Sequence, residues 1–174
     1  MFILQILTGE LDMGKKATKT LDNMYYKARM DAAERNEDFS SREKAAEILG
    51  IDRTRLARIE LETIFPYPEE VVLMAKTYNA PELLNAFCAK ECPIGIGNVR
   101  EVTVDDLDRL TLKVLGSLKD IDTLRKSLIA ISEDGIIEEA EESQFYSILD
   151  SLDKIASNAT ALKIWAQKNI KVKR

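Results

Sequence analysis

Between residues 40 and 59 the chain reads SSREKAAEILGIDRTRLARI, and this stretch restricts the fold more than any other. Ser40 with Glu43 forms the capping-box pattern, in which each side chain satisfies the other's free backbone N–H. Ala45, Ala46, Ile48 and Leu49 supply an apolar face, which predicts a helix over about 41–49. Gly50 suits a left-handed C-cap and Asp52 an N-cap, and only Ile51 stands between them. Leu56 and Ile59 then face inward on a second helix running to about Leu61. So short a connection leaves no room for a flexible loop, and the two helices must meet at a sharp, fixed angle.

The flanking sequence supplies three more helices. From Leu21 to Arg35 the residues Leu21, Met24, Tyr25, Ala28, Met30 and Ala32 fall on one broad face. Pro66 and Pro68 break the chain after IELETIF, and Pro68 fits the first turn of a fourth helix whose Val71, Val72, Ala75 and Tyr78 point to the core, with Asn79 as a left-handed stop. Pro81 opens a fifth, PELLNAFCAKEC, with Leu83, Leu84, Phe87 and Cys88 apolar. PIGIGNVR, with its proline and glycines, then reads as a linker.

Beyond the linker the pattern changes to heptads. Thr103 with Asp106 can cap a helix about thirty residues long, in which Leu107, Leu110, Val114, Ile121, Leu124, Leu128 and Ile131 keep a three-four spacing broken at Ser117. After SEDG at 132–135 the spacing resumes through Phe145, Ile148, Leu152, Ile155, Ala159, Leu162 and Ala166. Two matched helices and a short turn make an antiparallel coiled-coil hairpin. The expected fold is all-α: an N-terminal arm over 1–20, a five-helix domain over 21–92, a linker over 93–102, the hairpin over 103–168 and a basic tail over 169–174.

The seam leaves apolar residues over. Leu115, Leu118, Ile129, Leu149, Ile164 and Trp165 fall outside its positions, and exposed apolar surface of this kind marks an association site. A second copy, giving a homodimer through the hairpin, is the preferred cover; packing back onto the first domain is the alternative.

Composition narrows function chiefly by what is missing. The chain has no histidine, which removes the commonest general base and most zinc sites, so neither an enzyme nor a bound cofactor or metal is expected. A net charge of −5 argues against a globally basic coat for nucleic acid but leaves a local basic face open. Cys88 and Cys92 make no disulfide framework, read most simply as small apolar residues near a helix end, and suit a reducing cytoplasm. A shared metal held by two copies is the rival reading of the pair. The opening MFILQILTGELDMG is too short an apolar run for a membrane span; it reads as an extra strand, a packing arm, or translation upstream of a start at Met13. EEAEES at 138–143 reads as solvated helix surface, with an acidic partner-binding patch as the rival, and the terminal KNIKVKR as a frayed tail.

Residues 21–92, above all REKAAEILGIDRTRLARIE, resemble the phage repressor and Cro-like (XRE-type) helix-turn-helix family, with Ala46, Gly50, Ile51, Leu56, Ile59 and Glu60 in their expected places. The resemblance implies double-stranded DNA as partner, with the helix over about 52–61 in the major groove. Arg53, Thr54 and Arg58 would then read bases, arginine through guanine O6 and N7. Ser41, Arg42, Lys44 and Arg55 would hold backbone phosphates. The chain departs from the family at Arg42, where glutamine is common, and at Glu62, where glycine is common, so phosphate clamping is expected to differ and the exit from the recognition helix to turn less sharply. The function implied is a homodimeric, sequence-specific transcriptional regulator. The rival is an antitoxin-like or adaptor protein whose hairpin binds a different protein.

Overall fold

A computed structural model of the chain describes residues 21–132 and 135–170. Among the described residues every regular element is helical, as the sequence predicts. The arm at 1–20 and the last basic residues, 171–174, lie outside them. The α-helices are α1 (Met24–Ala33), α2 (Arg42–Leu49), α3 (Arg53–Glu60), α4 (Pro68–Thr77), α5 (Glu82–Lys90), α6 (Leu107–Leu118), α7 (Ile121–Ile131) and α8 (Glu142–Asn169). A single 3-10 turn, Glu37–Ser40, lies between α1 and α2. The chain divides into two compact units between Leu83 and Leu84, inside α5, whereas the composition change in the sequence lies near Cys92.

In the first unit α1 begins later than its apolar pattern suggests, because Asn23 caps it. Its Oδ1 accepts from the Tyr26 N–H at 2.9 Å, and its amide donates to the Ile59 carbonyl at 3.2 Å, tying α1 to α3. Leu21 is left exposed, and the buried face is Tyr25, Ala28, Arg29 and Ala32. The 3-10 turn seats Phe39 edge-on against Tyr78 with ring centroids 5.4 Å apart. This turn takes up Ser40, so the expected cap moves by one residue: Ser41 receives the Lys44 N–H.

Gly50 has φ 66° and is the left-handed cap expected of it. The Ile51 N–H reaches back to the Ala46 carbonyl at 3.0 Å, and Asp52 accepts from the Arg55 N–H at 2.9 Å. Both helix ends at the turn are therefore satisfied within the turn itself, which fixes the crossing of α2 and α3. Ala45, Ala46 and Leu49 of α2 bury against Leu56 and Ile59 of α3, with Val71, Met74 and Tyr78 completing the core. Ile48 and Val72, expected inside, are exposed. The small Ala45–Ala46 pair lets neighbouring elements approach closely, so the buried stripe on α2 is narrow and Ile48 falls off its edge.

Two left-handed residues close this unit. Asn79, with φ 51°, is the stop read from the sequence, and Glu62, with φ 56°, adopts the conformation that a glycine would take. The exit from α3 is therefore as sharp as with glycine, contrary to the expectation drawn from Glu62.

In the second unit residues 93–98 form turns docked on α5 in place of an open linker. A β-carbon added at Gly95 would stand 2.0 Å from the Cys88 carbonyl oxygen, so only glycine permits this approach. Asn85 donates to the Arg100 carbonyl at 3.1 Å and accepts from the Val102 N–H at 2.9 Å. Arg100 pairs with Asp150 and Asp153 on α8. Cys92 lies beyond the end of α5, so the two cysteines do not share a helix.

The first arm of the hairpin is not one helix. Thr103 lies before its start, and the arm breaks between Leu118 and Ile121. Gly116 followed by Ser117 explains the break: the Ser117 hydroxyl donates to the Val114 carbonyl at 2.8 Å, competing with the helical ladder beside a flexible glycine. The connection to α8 is longer than SEDG and takes in Glu138–Glu141, which form a turn before the helix. The seam on α8 also shifts. Leu152 and Ala159 are exposed, while Ile148, Ala161 and Ile164 are buried. Asn158 fixes this register by donating to the Lys113 carbonyl across the hairpin at 3.1 Å, a contact that an apolar template passes over.

Candidate nucleic-acid interface

The outward face of α3 carries Arg53, Thr54 and Arg58, all exposed. Three things hold it in place: Leu56 and Ile59 in the core, the Asp52 cap at its start, and Glu60 at its end. Glu60 is fully buried, and so is its principal partner Arg29. Arg29 forks onto it with Nε–Oε1 at 2.6 Å and a terminal nitrogen to Oε2 at 3.1 Å. The same guanidinium donates to the Phe39 carbonyl at 2.7 Å and the Ser40 carbonyl at 3.2 Å. Burial penalises the Arg29 charge, yet the hydrogen bond and field of Glu60 hold its pKa above the ordinary value. One buried ion pair thus ties α1, the 3-10 turn and the end of α3 together.

Arg42, expected to hold phosphate, donates its Nε to Glu60 Oε2 at 2.8 Å and completes this cluster. Lys44 pairs with Asp38 at 2.7 Å. Arg55 forks onto Glu70 and stacks over the Tyr67 ring, its guanidinium carbon 4.2 Å from the centroid. Glu70 also accepts the Tyr67 N–H at 2.7 Å, so the pair locks the first turn of α4 to α3. Burial raises the Glu70 pKa, but the hydrogen bonds from Arg55 and Tyr67 bring it below the ordinary value. Ser41 serves as the cap of α2.

Each cation assigned to phosphate is thus already held by a carboxylate of the same unit. Neither Arg53 nor Arg58 has an ion pair among the described residues, and the two sit on one face of one helix with Thr54. The sequence reading found the free arginines but missed Arg29, Tyr67 and Glu70. An arginine on the apolar stripe of α1 was the available signal for the first of these, because such a group is buried only with a partner.

The residues assigned to dimerisation lie in the second unit. Leu115 and Ile129 are more than half exposed, Leu118 and Leu149 moderately so, and Trp165 is half-buried. Ile164, also expected at the surface, is in the core. No helix of the described residues is long and apolar enough to cross a membrane. No family model, curated protein or solved structure matches this chain.

Proposed function

We propose that this chain is a non-enzymatic, sequence-specific regulator that binds double-stranded DNA as a homodimer, its helix-turn-helix formed by α2 and α3. The observation that carries the reading is the outward face of α3, where Arg53, Thr54 and Arg58 stand free on a helix fixed from behind by the Arg29–Glu60 pair. Arginines so placed can make paired hydrogen bonds to guanine, each worth about 1–3 kcal/mol of discrimination. Thr54 suits a thymine methyl or a weaker polar contact. Arg42, Lys44 and Arg55 share carboxylates, so their pull on phosphate is reduced and the backbone contacts rely more on N–H groups at the start of α2.

Selection of bound sites from a random DNA pool, followed by a salt titration on the selected site, tests this. Arg53→Ala and Arg58→Ala should each relax preference at particular base pairs, while Arg42→Ala weakens all sequences alike. The salt dependence should be shallow for a helix-turn-helix protein, the slope being about −0.9 per phosphate neutralised. Failure to enrich any sequence would favour the adaptor reading, in which the exposed apolar side of the hairpin binds a different protein.

A further inference from the structure

We propose that the apolar face of the C-terminal hairpin is covered by a second copy of this chain lying antiparallel to it, with the twofold axis beside Ala156. The proposal rests on the homodimer reading and supplies its geometry. Helices α6 and α8 run antiparallel, since Asn158 bonds to Lys113, and Ser117 and Lys154 line one cavity with Leu124 and Ile148. A helix turns about 100° per residue. Turning in the same sense from the seam, Leu118 and Leu115 come round on α6, and Leu152, Ala156 and Leu149 on α8. Equal rotation in an antiparallel pair brings both stripes to one side of the hairpin, and all five residues are exposed. The other side holds that cavity, about 330 Å³, in which Ser117, Ser127, Ser147 and Ser151 stand among Ile121, Leu124 and Ile148.

Two features of this face select a second, inverted copy. The first is size. Inversion about Ala156 sets Leu152 against Thr160 beside the small Ala159, and Leu149 against the aliphatic stem of Lys163. Parallel copies would set Leu152 on Leu152 and Lys163 on Lys163. The second is charge. Helix α8 is preceded by Glu138, Glu139 and Glu141, starts at Glu142, and carries Lys163 and Lys168 toward its end. Helix α8 has 28 residues and is about 42 Å long, so inversion lays the acidic start of α8 in each copy beside the basic end of α8 in the other. A parallel arrangement stacks like charge on like charge, which weakens association and counts against that register.

Cysteine cross-linking in the full chain, in a Cys88→Ser, Cys92→Ser background first sized by sedimentation, tests the geometry. Ala156→Cys should oxidise to a covalent dimer, because a residue on the axis meets its own copy. Leu149→Cys and Lys163→Cys should each cross-link poorly alone, and the mixed pair should give about tenfold or more covalent heterodimer. A dimer in which Leu149→Cys cross-links to itself, or Ala156→Cys does not, overturns the inverted geometry and leaves the homodimer reading standing. A monomer at tens of micromolar overturns both and gives the face to a different protein.

Discussion

Through Arg29 and Arg42, Glu60 ties the end of α3 to both α1 and α2. Its carboxylate is 0% exposed and holds Arg29, 3% exposed, and Arg42, 32% exposed. Glu60→Gln keeps the size of the side chain but removes the charge, and turns an N–H toward one of the two guanidiniums. Breaking a buried pair from one side typically costs about 3–5 kcal/mol, because the remaining charge has no compensation. Arg29 keeps its bonds to the Phe39 and Ser40 carbonyls and Arg42 can reach water, so the lower end, about 3 kcal/mol, is expected. For a unit of this size each kcal/mol moves the midpoint by roughly 4–8 °C, so the melting temperature should fall by roughly 12–24 °C.

The chain's single tryptophan, Trp165, lies in the second unit. The loss should therefore appear in far-ultraviolet circular dichroism and spare the tryptophan transition. The double variant Arg29→Met, Glu60→Leu replaces the pair by apolar groups and should recover most of the loss, as buried pairs exchanged whole often do. A Glu60→Gln protein within about 1 kcal/mol of the parent, or a double variant whose loss equals the sum of the singles, would refute the argument.

Three further outcomes follow from single contacts. Gly95→Ala forces a β-carbon to 2.0 Å from the Cys88 carbonyl oxygen and should destabilise the second unit by about 1–3 kcal/mol or more, read from the tryptophan transition; an unchanged midpoint would mean that the loop is not docked. Glu62→Gly should raise the first unit's stability by about 0.5–1 kcal/mol, since a left-handed non-glycine residue costs more than glycine's extra entropy, and a lower midpoint would contradict the strain at Glu62. The Glu70 carboxyl has a lowered pKa, so its pair with Arg55 contributes fully above its ordinary 4.5 and is lost as pH falls through the lowered value. The stability gap between the parent and Glu70→Gln should hold steady at neutral pH and close on acidification, and a gap that widens in acid would reverse the sign assigned to this pair.

The turn at Gly50 was legible because local chemistry decides it. A left-handed glycine, an Asp N-cap and one intervening residue permit few backbone paths, and each of these residues does its work within a few positions of itself. The same locality explains Asn79 and Pro68. What sequence pattern misread was decided at longer range or by polar groups. Ser40 lost the cap of α2 because burying Phe39 drew it into a 3-10 turn. The α8 seam shifted because the half-buried Asn158 and Ser151 face α6 and α7 where an apolar template puts Leu152 and Ala159. Gly95 looked like a flexible linker residue, because its reason for being glycine is a backbone close in space that spacing along the chain cannot show.

The candidate site divides the same way. That Arg53 and Arg58 face outward follows from their phase relative to Leu56 and Ile59, and periodicity alone places them. Whether an arginine is available depends on carboxylates distant in sequence: Glu70 for Arg55 and Glu60 for Arg42, fifteen and eighteen positions away. Such pairing has a consequence for mechanism. If the unit binds DNA as proposed, cations shared with its own acids would gain less from each backbone contact, so nonspecific affinity would be low and base contacts from Arg53 and Arg58 would weigh more in the total. One copy would then hold a site weakly. Under the proposed pairing the second copy binds at an effective concentration set by the tether, not by bulk protein, which multiplies affinity only where both half-sites match. Weak phosphate contacts and a strong hairpin interface would thus act together: the first suppresses binding to arbitrary DNA, and the second restores it at paired sites.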